Sequence, residues 1–277
     1  MAIYHLSAKP PISRSVGRSA VAAAAYRAGQ RIVDERTGEV HDYTKKRGVL
    51  SASVVLPGGG RHDDRTALWN AVEQHHKRKD AVLAREVVVA LPAELPTGAA
   101  EGLALELAQE IADRYQVAVD CAVHLPSSKA GDERNVHAHL LMTACHVAAD
   151  GALGKKAVEL DPIHCKRAGI PDSVTWLRPR WSQMVNAKLS EQGSHSRVTH
   201  LSNKAQGKHE LPTVHVGVGS GSRARRALNA LRRTVNNELH QVSVVISKLL
   251  DERRILSRLL EKLAPKAPRS SRAIKPS

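Results

Sequence analysis

Three histidines have the spacing of a metal site. His137 and His139 lie two residues apart in an apolar run, and in a β-strand this spacing turns both imidazoles to the same face. His124 ends the preceding apolar run and lies beside them if the two strands pair. Three neutral imidazoles that converge on one point bind a divalent metal ion and leave positions open for water or substrate. Because the chain has 15 histidines, a chance pair on an exposed strand is the alternative.

The charge of the chain indicates a polyanionic partner. The formal net charge is +15 and the isoelectric point is about 10.1, and Lys and Arg that neutralise phosphates gain free energy from counterion release. Residues 216–277 contain 14 Lys and Arg against 4 Asp and Glu. The C-terminal part is therefore strongly basic, whereas the preceding body carries only +5 of the total.

A metal ion and a polyanionic partner together favour phosphodiester chemistry, in which the cation offsets charge in the transition state. No GxSxG elbow, Walker loop or GxGxxG opening follows a predicted strand, so acyl transfer and nucleotide hydrolysis have no support. A tyrosine is then a candidate nucleophile. Tyr26 lies in the alanine-rich stretch GRSAVAAAAYRAGQ, which by itself indicates only a packed helix.

The elements that would position these residues mix strands and helices without regular βαβ alternation. Apolar patterning predicts strands at 3–7, 49–56, 86–91, 116–124 and 136–143, a hairpin around Arg36-Thr37-Gly38, and basic loops after Asp150. Helices are predicted at 19–28, 61–79, 98–114, 173–192 and 223–263, the first capped by Ser19 and stopped by Gly29. We therefore predict an α+β fold with an antiparallel sheet core and flanking helices.

Three segments are predicted: a body at residues 1–220, a basic amphipathic helical extension at 221–264 and a disordered basic tail at 265–277. The extension carries a heptad-like apolar stripe interrupted at Arg253, which predicts packing on the body or on another copy.

The three cysteines form no CxxC pair and are interpreted as reduced thiols: Cys121, Cys145 and Cys165. Without an 18-residue apolar stretch or a signal-peptide order, we expect no membrane insertion and a bacterial or general cytoplasmic location.

Several stretches within roughly residues 1–220 resemble the MobA/MobL family of plasmid mobilisation relaxases, DNA-nicking enzymes of the HUH class. They are AIYHLSAKPPISRSVGRSAVAAAAYRAG, DERTGEVHDYTKKRGV, REVVVALP, NVHAHLLMT and KAQGKHELPTVHVG. Each stretch alone is a weak signal, and their combination is specific. The resemblance implies that the body is a relaxase domain with an HUH-type palm.

The resemblance also implies residue roles. Tyr26 matches the nucleophile that attacks a DNA phosphodiester and stays on the 5′ phosphate, and the histidine triad of His124, His137 and His139 matches the metal ligands for Mn²⁺ or Mg²⁺. Glu86 matches an acidic residue that orients a histidine or takes part in proton transfer; a solvated charge at the strand end is the alternative.

Basic residues near the tyrosine are candidates for binding DNA phosphates, the alternative being a solvated surface. They are Arg14, Arg18, Arg27, Lys45 and Lys46.

The implied partners are single-stranded or melted DNA at a plasmid transfer origin, an accessory mobilisation protein and a type IV secretion coupling protein. Transfer to the recipient cell attached to DNA is also implied. Because no helicase region follows, we expect unwinding by another protein. The basic extension is not explained by the resemblance, and DNA binding, self-association or addressing to the conjugation machinery are its candidate roles.

Two alternative functions stay open: a rolling-circle replication or transposition initiator with the same chemistry, and a non-catalytic DNA-binding module with a structural metal.

Overall fold

The computed structural model describes residues 3–125, 135–214, 216 and 219–263. The chain divides into two compact units, Met1–His200 and Leu201–Ser277. Most of the loop between the histidine-bearing strands, at residues 126–134, and the predicted disordered tail at 265–277 lie outside the described residues.

An antiparallel sheet forms the centre of the first unit, in the order β1-β6-β8-β7-β5, with β2 also paired to β6. Its strands are β1 (Leu6–Ala8), β2 (Ile12–Ser13), β5 (Val49–Val55), β6 (Val82–Ala90), β7 (Val119–His124) and β8 (His137–Thr143). Two small antiparallel pairs accompany it, namely β3 (Arg31–Val33) with β4 (Val40–Asp42), and β9 (Cys145–Val147) with β10 (Leu153–Lys156).

Helices cover the sheet, and two hydrophobic clusters form the core of this unit. The helices are α1 (Ala20–Ala28), α2 (Arg65–His75), α3 (Thr97–Tyr115), α4 (Pro162–Ala168) and α5 (Ser173–Glu191). One cluster joins sheet residues to α3 and α5, and the other joins sheet residues to α1 and α2. Alternate residues of a strand face opposite sides of a sheet, so β5, β6 and β8 each supply residues to both clusters. The predicted α+β fold is confirmed.

Helix α1 begins and ends where its sequence predicts. The Ser19 side chain accepts a hydrogen bond from the Ala22 amide, and Gly29 ends the helix in the left-handed conformation at φ +64°. Ala24 and Ala25 are fully buried. Their small methyl side chains let the helix pack closely against its neighbours, and this packing positions the last turn of the helix, which carries Tyr26.

Other boundaries differ from the sequence prediction. The first strand begins at Leu6 instead of residue 3, and α2 begins only after Asp64, whose carboxylate caps it by accepting from the Ala67 amide. The prediction of basic loops after Asp150 was wrong in part, because β10 pairs with β9 and α4 begins after the capping residue Asp161. The three cysteines are unpaired and buried. Among the described residues, every helix is either too short or too polar to span a lipid bilayer.

The second unit contains one long helix, α6 (Ser222–Leu263). Residues 211–214 run beside its first half: the Asn229 side chain bonds both the amide and the carbonyl of Val214, and Asn236 does the same with Leu211. We call residues 211–214 the strap.

Candidate metal and nucleophile site

The sheet brings the three predicted histidines together. In the pairing of β7 with β8, His124 lies opposite His137 and Ala122 lies opposite His139. The ring centroids are 4.6 to 5.6 Å apart, and one potential ligand atom from each histidine lies within 4.8 Å of the other two. The alternative of a chance pair on an exposed strand does not fit this convergence.

Each imidazole makes a hydrogen bond that defines its tautomer. Nδ1 of His139 lies 2.6 Å from Oε1 of Glu86, Nδ1 of His137 lies 3.0 Å from the Asn135 carbonyl, and Nε2 of His124 lies 2.6 Å from the Arg27 carbonyl. An acceptor of this kind requires the proton on the nitrogen that faces it, so in the neutral ring the other nitrogen carries the lone pair. Each ring can then offer one free nitrogen to a metal.

Burial keeps two of these rings neutral. It lowers the pKa of His124 to about 4, and the positive charge of Lys46 adds to the effect. Burial also lowers the pKa of His137. Because only a neutral imidazole binds a metal ion, protons compete poorly with a cation at these two residues near neutral pH.

Glu86 supports His139 from the neighbouring strand. On β6 it lies diagonally across from His139, and both of its oxygens bind Arg27, at 2.7 Å from Nε and 2.6 Å from Nη2. Burial alone would raise the pKa of Glu86, but the hydrogen bonds from His139 and Arg27 outweigh it and lower the pKa to about 2. The residue is therefore an ionised carboxylate that is hydrogen-bonded to the imidazole, and the predicted alternative of a solvated charge does not fit its burial.

This arrangement fits a catalytic metal site better than a closed structural one. Three protein ligands leave coordination positions for water or substrate, and a carboxylate behind a ligating histidine is the usual support for such a ligand. Imidazole nitrogen suits first-row transition ions, whereas Mg²⁺ takes oxygen ligands.

Tyr26 lies in the last turn of α1, next to the residue that binds the triad. The residue is 47% exposed, so it lies at the surface of the protein. Nζ of Lys46 lies 3.8 Å from the ring centroid and donates to the Tyr26 carbonyl at 2.7 Å, and the Tyr43 ring meets it edge-on at 5.2 Å. Burial lowers the pKa of Lys46 to about 8, with the nearby Arg27 contributing.

Comparison with known proteins identifies the family. The model of the MobA/MobL family matches residues 18–226, which is more than half of the chain. The chain belongs to the MobA/MobL family. The matched residues include Tyr26, Glu86 and the histidine triad.

Relatives of this MobA/MobL protein include mobilisation and conjugal transfer proteins. It is 50% identical over 253 residues to "Mobilization protein MobL" of Acidithiobacillus ferridurans, covering 84% of this chain and 66% of that protein. It is 32% identical over 269 residues to "Conjugal transfer protein TraA" of Rhizobium radiobacter, covering 88% of this chain and only 24% of TraA. The chain thus spans a part of the relatives it matches.

A solved structure supports the fold of this MobA/MobL protein. The structure, described as the molecular basis of vancomycin resistance transfer in Staphylococcus aureus, aligns with a TM-score of 0.60 at 27% identity. The alignment covers 73% of this chain and the whole of the other.

The structure gives the predicted phosphate-binding residues different settings. Arg14 donates to Glu73 and to three backbone carbonyls, and Arg27 is bound to Glu86 and the Ala23 carbonyl. Both therefore have intramolecular roles, and their contact with DNA stays a prediction. Arg18 and Lys45 are exposed. Lys46, the fifth of these basic residues, contacts both the ring and the carbonyl of Tyr26.

Sequence reasoning missed the internal supports of the site. Glu73 is fully buried, binds Arg14 and Arg36, and accepts from the Ala20 amide at the start of α1. Gly48 has φ +85°, and a Cβ there would lie 2.4 Å from the Leu125 carbonyl oxygen, immediately after His124. A glutamate inside the helical pattern of α2 was the available signal for Glu73. A glycine directly before a predicted strand was the signal for Gly48.

Proposed function

We propose that this MobA/MobL protein is a DNA relaxase that nicks and rejoins one DNA strand through Tyr26. The observation that carries the proposal is the connection between α1 and the histidine triad. Arg27, the residue after Tyr26, binds His124 through its carbonyl and holds Glu86, which in turn holds His139. A nucleophile-bearing helix turn and a metal-binding triad are thereby parts of one hydrogen-bonded assembly.

The proposed reaction is a transesterification. The Tyr26 hydroxyl oxygen attacks the scissile phosphorus and loses its proton, while the bond from phosphorus to the 3′ oxygen breaks and that oxygen takes up a proton. The products are a 5′-phosphotyrosine ester and a free 3′ hydroxyl. One phosphate ester replaces another, so the 3′ hydroxyl can reverse the step and no nucleotide hydrolysis is needed.

Two neighbouring residues, Lys46 and Glu86, contact the tyrosine and the triad. Lys46 holds the end of α1 through the Tyr26 carbonyl and places a positive charge beside the ring, where it can neutralise part of an approaching phosphate. Glu86 cannot act as a general acid at neutral pH because its pKa is about 2, so we assign it the orienting role and not proton transfer.

A divalent cation bound by His124, His137 and His139 would polarise the scissile phosphate and offset the negative charge of the transition state. A first-row transition ion such as Mn²⁺ is proposed from the imidazole donors.

We propose single-stranded or melted DNA at a plasmid transfer origin as the substrate. The net charge of +15 suits a polyanion, and the name of the MobL relative supports a role in mobilisation. An accessory mobilisation protein, a type IV coupling protein, action in the bacterial cytoplasm and delivery to a recipient cell belong to the same proposal.

A covalent-adduct assay tests the proposal. Single-stranded oligonucleotides tiled across the DNA that flanks the coding sequence, each labelled at its 3′ end, are incubated with the protein and Mn²⁺. We expect one oligonucleotide to transfer its label to the protein in denaturing gels, and we expect EDTA to abolish this transfer. A rolling-circle or transposition initiator would give the adduct at a replication origin or element end instead.

Two tyrosine variants make the assay specific. Tyr26→Phe removes the proposed nucleophilic oxygen and should abolish the adduct, whereas Tyr43→Phe removes the hydroxyl of the neighbouring ring and should retain it. DNA binding without any adduct in the wild type would favour the non-catalytic module, and an undiminished adduct in Tyr26→Phe would assign the chemistry to another residue.

A further inference from the structure

The second half of α6 presents an apolar surface that the strap does not cover. The hydrogen bonds between the strap and the helix end at Asn236. From residue 240 to residue 263 every residue of the helix is exposed, including eleven large apolar side chains such as Ile246 at 51% and Leu263 at 80%. A contiguous apolar surface of this kind marks an interaction site.

The apolar residues follow a strict seven-residue repeat that begins where the strap ends. Positions a and d of the heptads are Leu239, Val242, Ile246, Leu249, Arg253, Leu256, Leu260 and Leu263. Before Leu239 the spacing changes, because Leu231, Val235 and Leu239 are separated by two successive steps of four. A straight helix repeats every 3.6 residues, so a sustained seven-residue repeat is typical of a helix that coils around another helix.

We propose that residues 239–263 form a parallel, in-register, two-stranded coiled coil with a second copy of this chain. Seven of the eight a and d residues are aliphatic, and leucine occupies three of the four d positions. Leucine at d with Ile246 among the a residues is compatible with two strands, and a single polar residue at a specifies the register and number of strands.

We call the surface formed by the a and d residues the seam. Its one polar residue fits a second copy in parallel register. Arg253 occupies an a position and Glu252 the adjacent g position. In a parallel, in-register pair, the g residue of one helix borders the a residue of the other, so each Arg253 lies beside Glu252 of the second copy. The antiparallel pair that aligns the same apolar layers would place Arg253 against Leu249 of the second copy, where the guanidinium has an aliphatic neighbour.

Molar mass in solution tests the proposal on the full chain. We expect sedimentation equilibrium in high salt, where bridging by residual nucleic acid is screened, to give twice the monomer mass of 30.0 kDa. Leu249→Asp with Leu256→Asp places charges in the seam and should raise the dissociation constant by more than about 100-fold.

A matched control uses two apolar residues of the same helix outside the seam. Val244 and Ile255 occupy f and c positions and are 43% and 57% exposed, so Val244→Asp with Ile255→Asp should remain a dimer. A monomeric wild type, a dimeric seam variant, or equal dissociation of both variants would overturn the proposal.

A single cysteine tests the orientation. Leu260→Cys should form an intermolecular disulfide under mild oxidation, because equivalent a residues face each other in a parallel pair. In the antiparallel alignment the two cysteines would lie about 27 Å apart along the helix, and no crosslink would form. The native cysteines are buried, so they contribute little background. A dimer without this crosslink would refute the parallel register.

Discussion

The variant Glu86→Gln separates the orienting role of this residue from general packing. Glutamine keeps the size of the side chain but removes the charge that holds Arg27 and His139. The pKa of Glu86 is lowered from its ordinary value of 4.5 to about 2, which corresponds to about 3 kcal/mol of folding stability at neutral pH. We therefore expect the free energy of unfolding of the variant to be lower by about that amount at pH 7.

The pH dependence has a defined sign. The folded-state pKa lies below the unfolded-state value, so this stabilisation is fully present above pH 4.5 and is lost as the pH falls towards 2. The difference between wild type and Glu86→Gln should consequently be smaller at pH 4 than at pH 7, by roughly 1 kcal/mol. Urea denaturation of the metal-free proteins at the two pH values measures it.

The effect on the metal is measured separately by calorimetric titration with Mn²⁺. Loss of the carboxylate behind a ligating histidine weakens metal binding by about 10- to 100-fold. The matched control is Glu73→Gln, another buried carboxylate that binds arginines but not the triad, and it should lose stability while its Mn²⁺ affinity stays within about twofold. If Glu86→Gln binds Mn²⁺ as tightly as the wild type, or if both variants lose affinity equally, Glu86 does not orient the ligand.

Two further predictions concern the packing around His124. Gly48→Ala should destabilise the protein by about 2–4 kcal/mol in urea denaturation, because it combines an unfavourable φ with a clash at Leu125. Gly38→Ala, at φ +75° with nothing within 4 Å, should cost distinctly less, and equal losses would show that the clash is absent. The ring of His124 should titrate in NMR spectra of the metal-free protein with a midpoint near pH 4, because burial lowers its pKa; a midpoint near 6.5 would contradict the buried setting.

Local patterns in the sequence predicted the helix and the strands that carry the site residues. The cap at Ser19, the stop at Gly29 and the alternation of the β7 and β8 residues depend on neighbours in the chain, so α1 and the strand pair could be placed before the structure. The convergence of His124 with the other two histidines required only that adjacent strands pair.

The supports of the site could not be derived in this way. Arg27 and Glu86 are 59 residues apart in sequence, and their pairing depends on how α1 packs against β6. The prediction that Arg27 contacts DNA depended only on its position next to Tyr26 in the sequence. Glu73 and Gly48 likewise acquire their roles from contacts with distant segments.

The most direct test of the central claim is to locate the DNA attachment by mass spectrometry. The adduct formed with the cleaved oligonucleotide is digested with nuclease and trypsin, and cleavage after Arg18 and Arg27 releases residues 19–27, in which Tyr26 is the one tyrosine. We expect this peptide to carry a nucleotide through the tyrosine oxygen. A nucleotide on Tyr43 or on any other residue, with the Tyr26 peptide unmodified, would contradict the account.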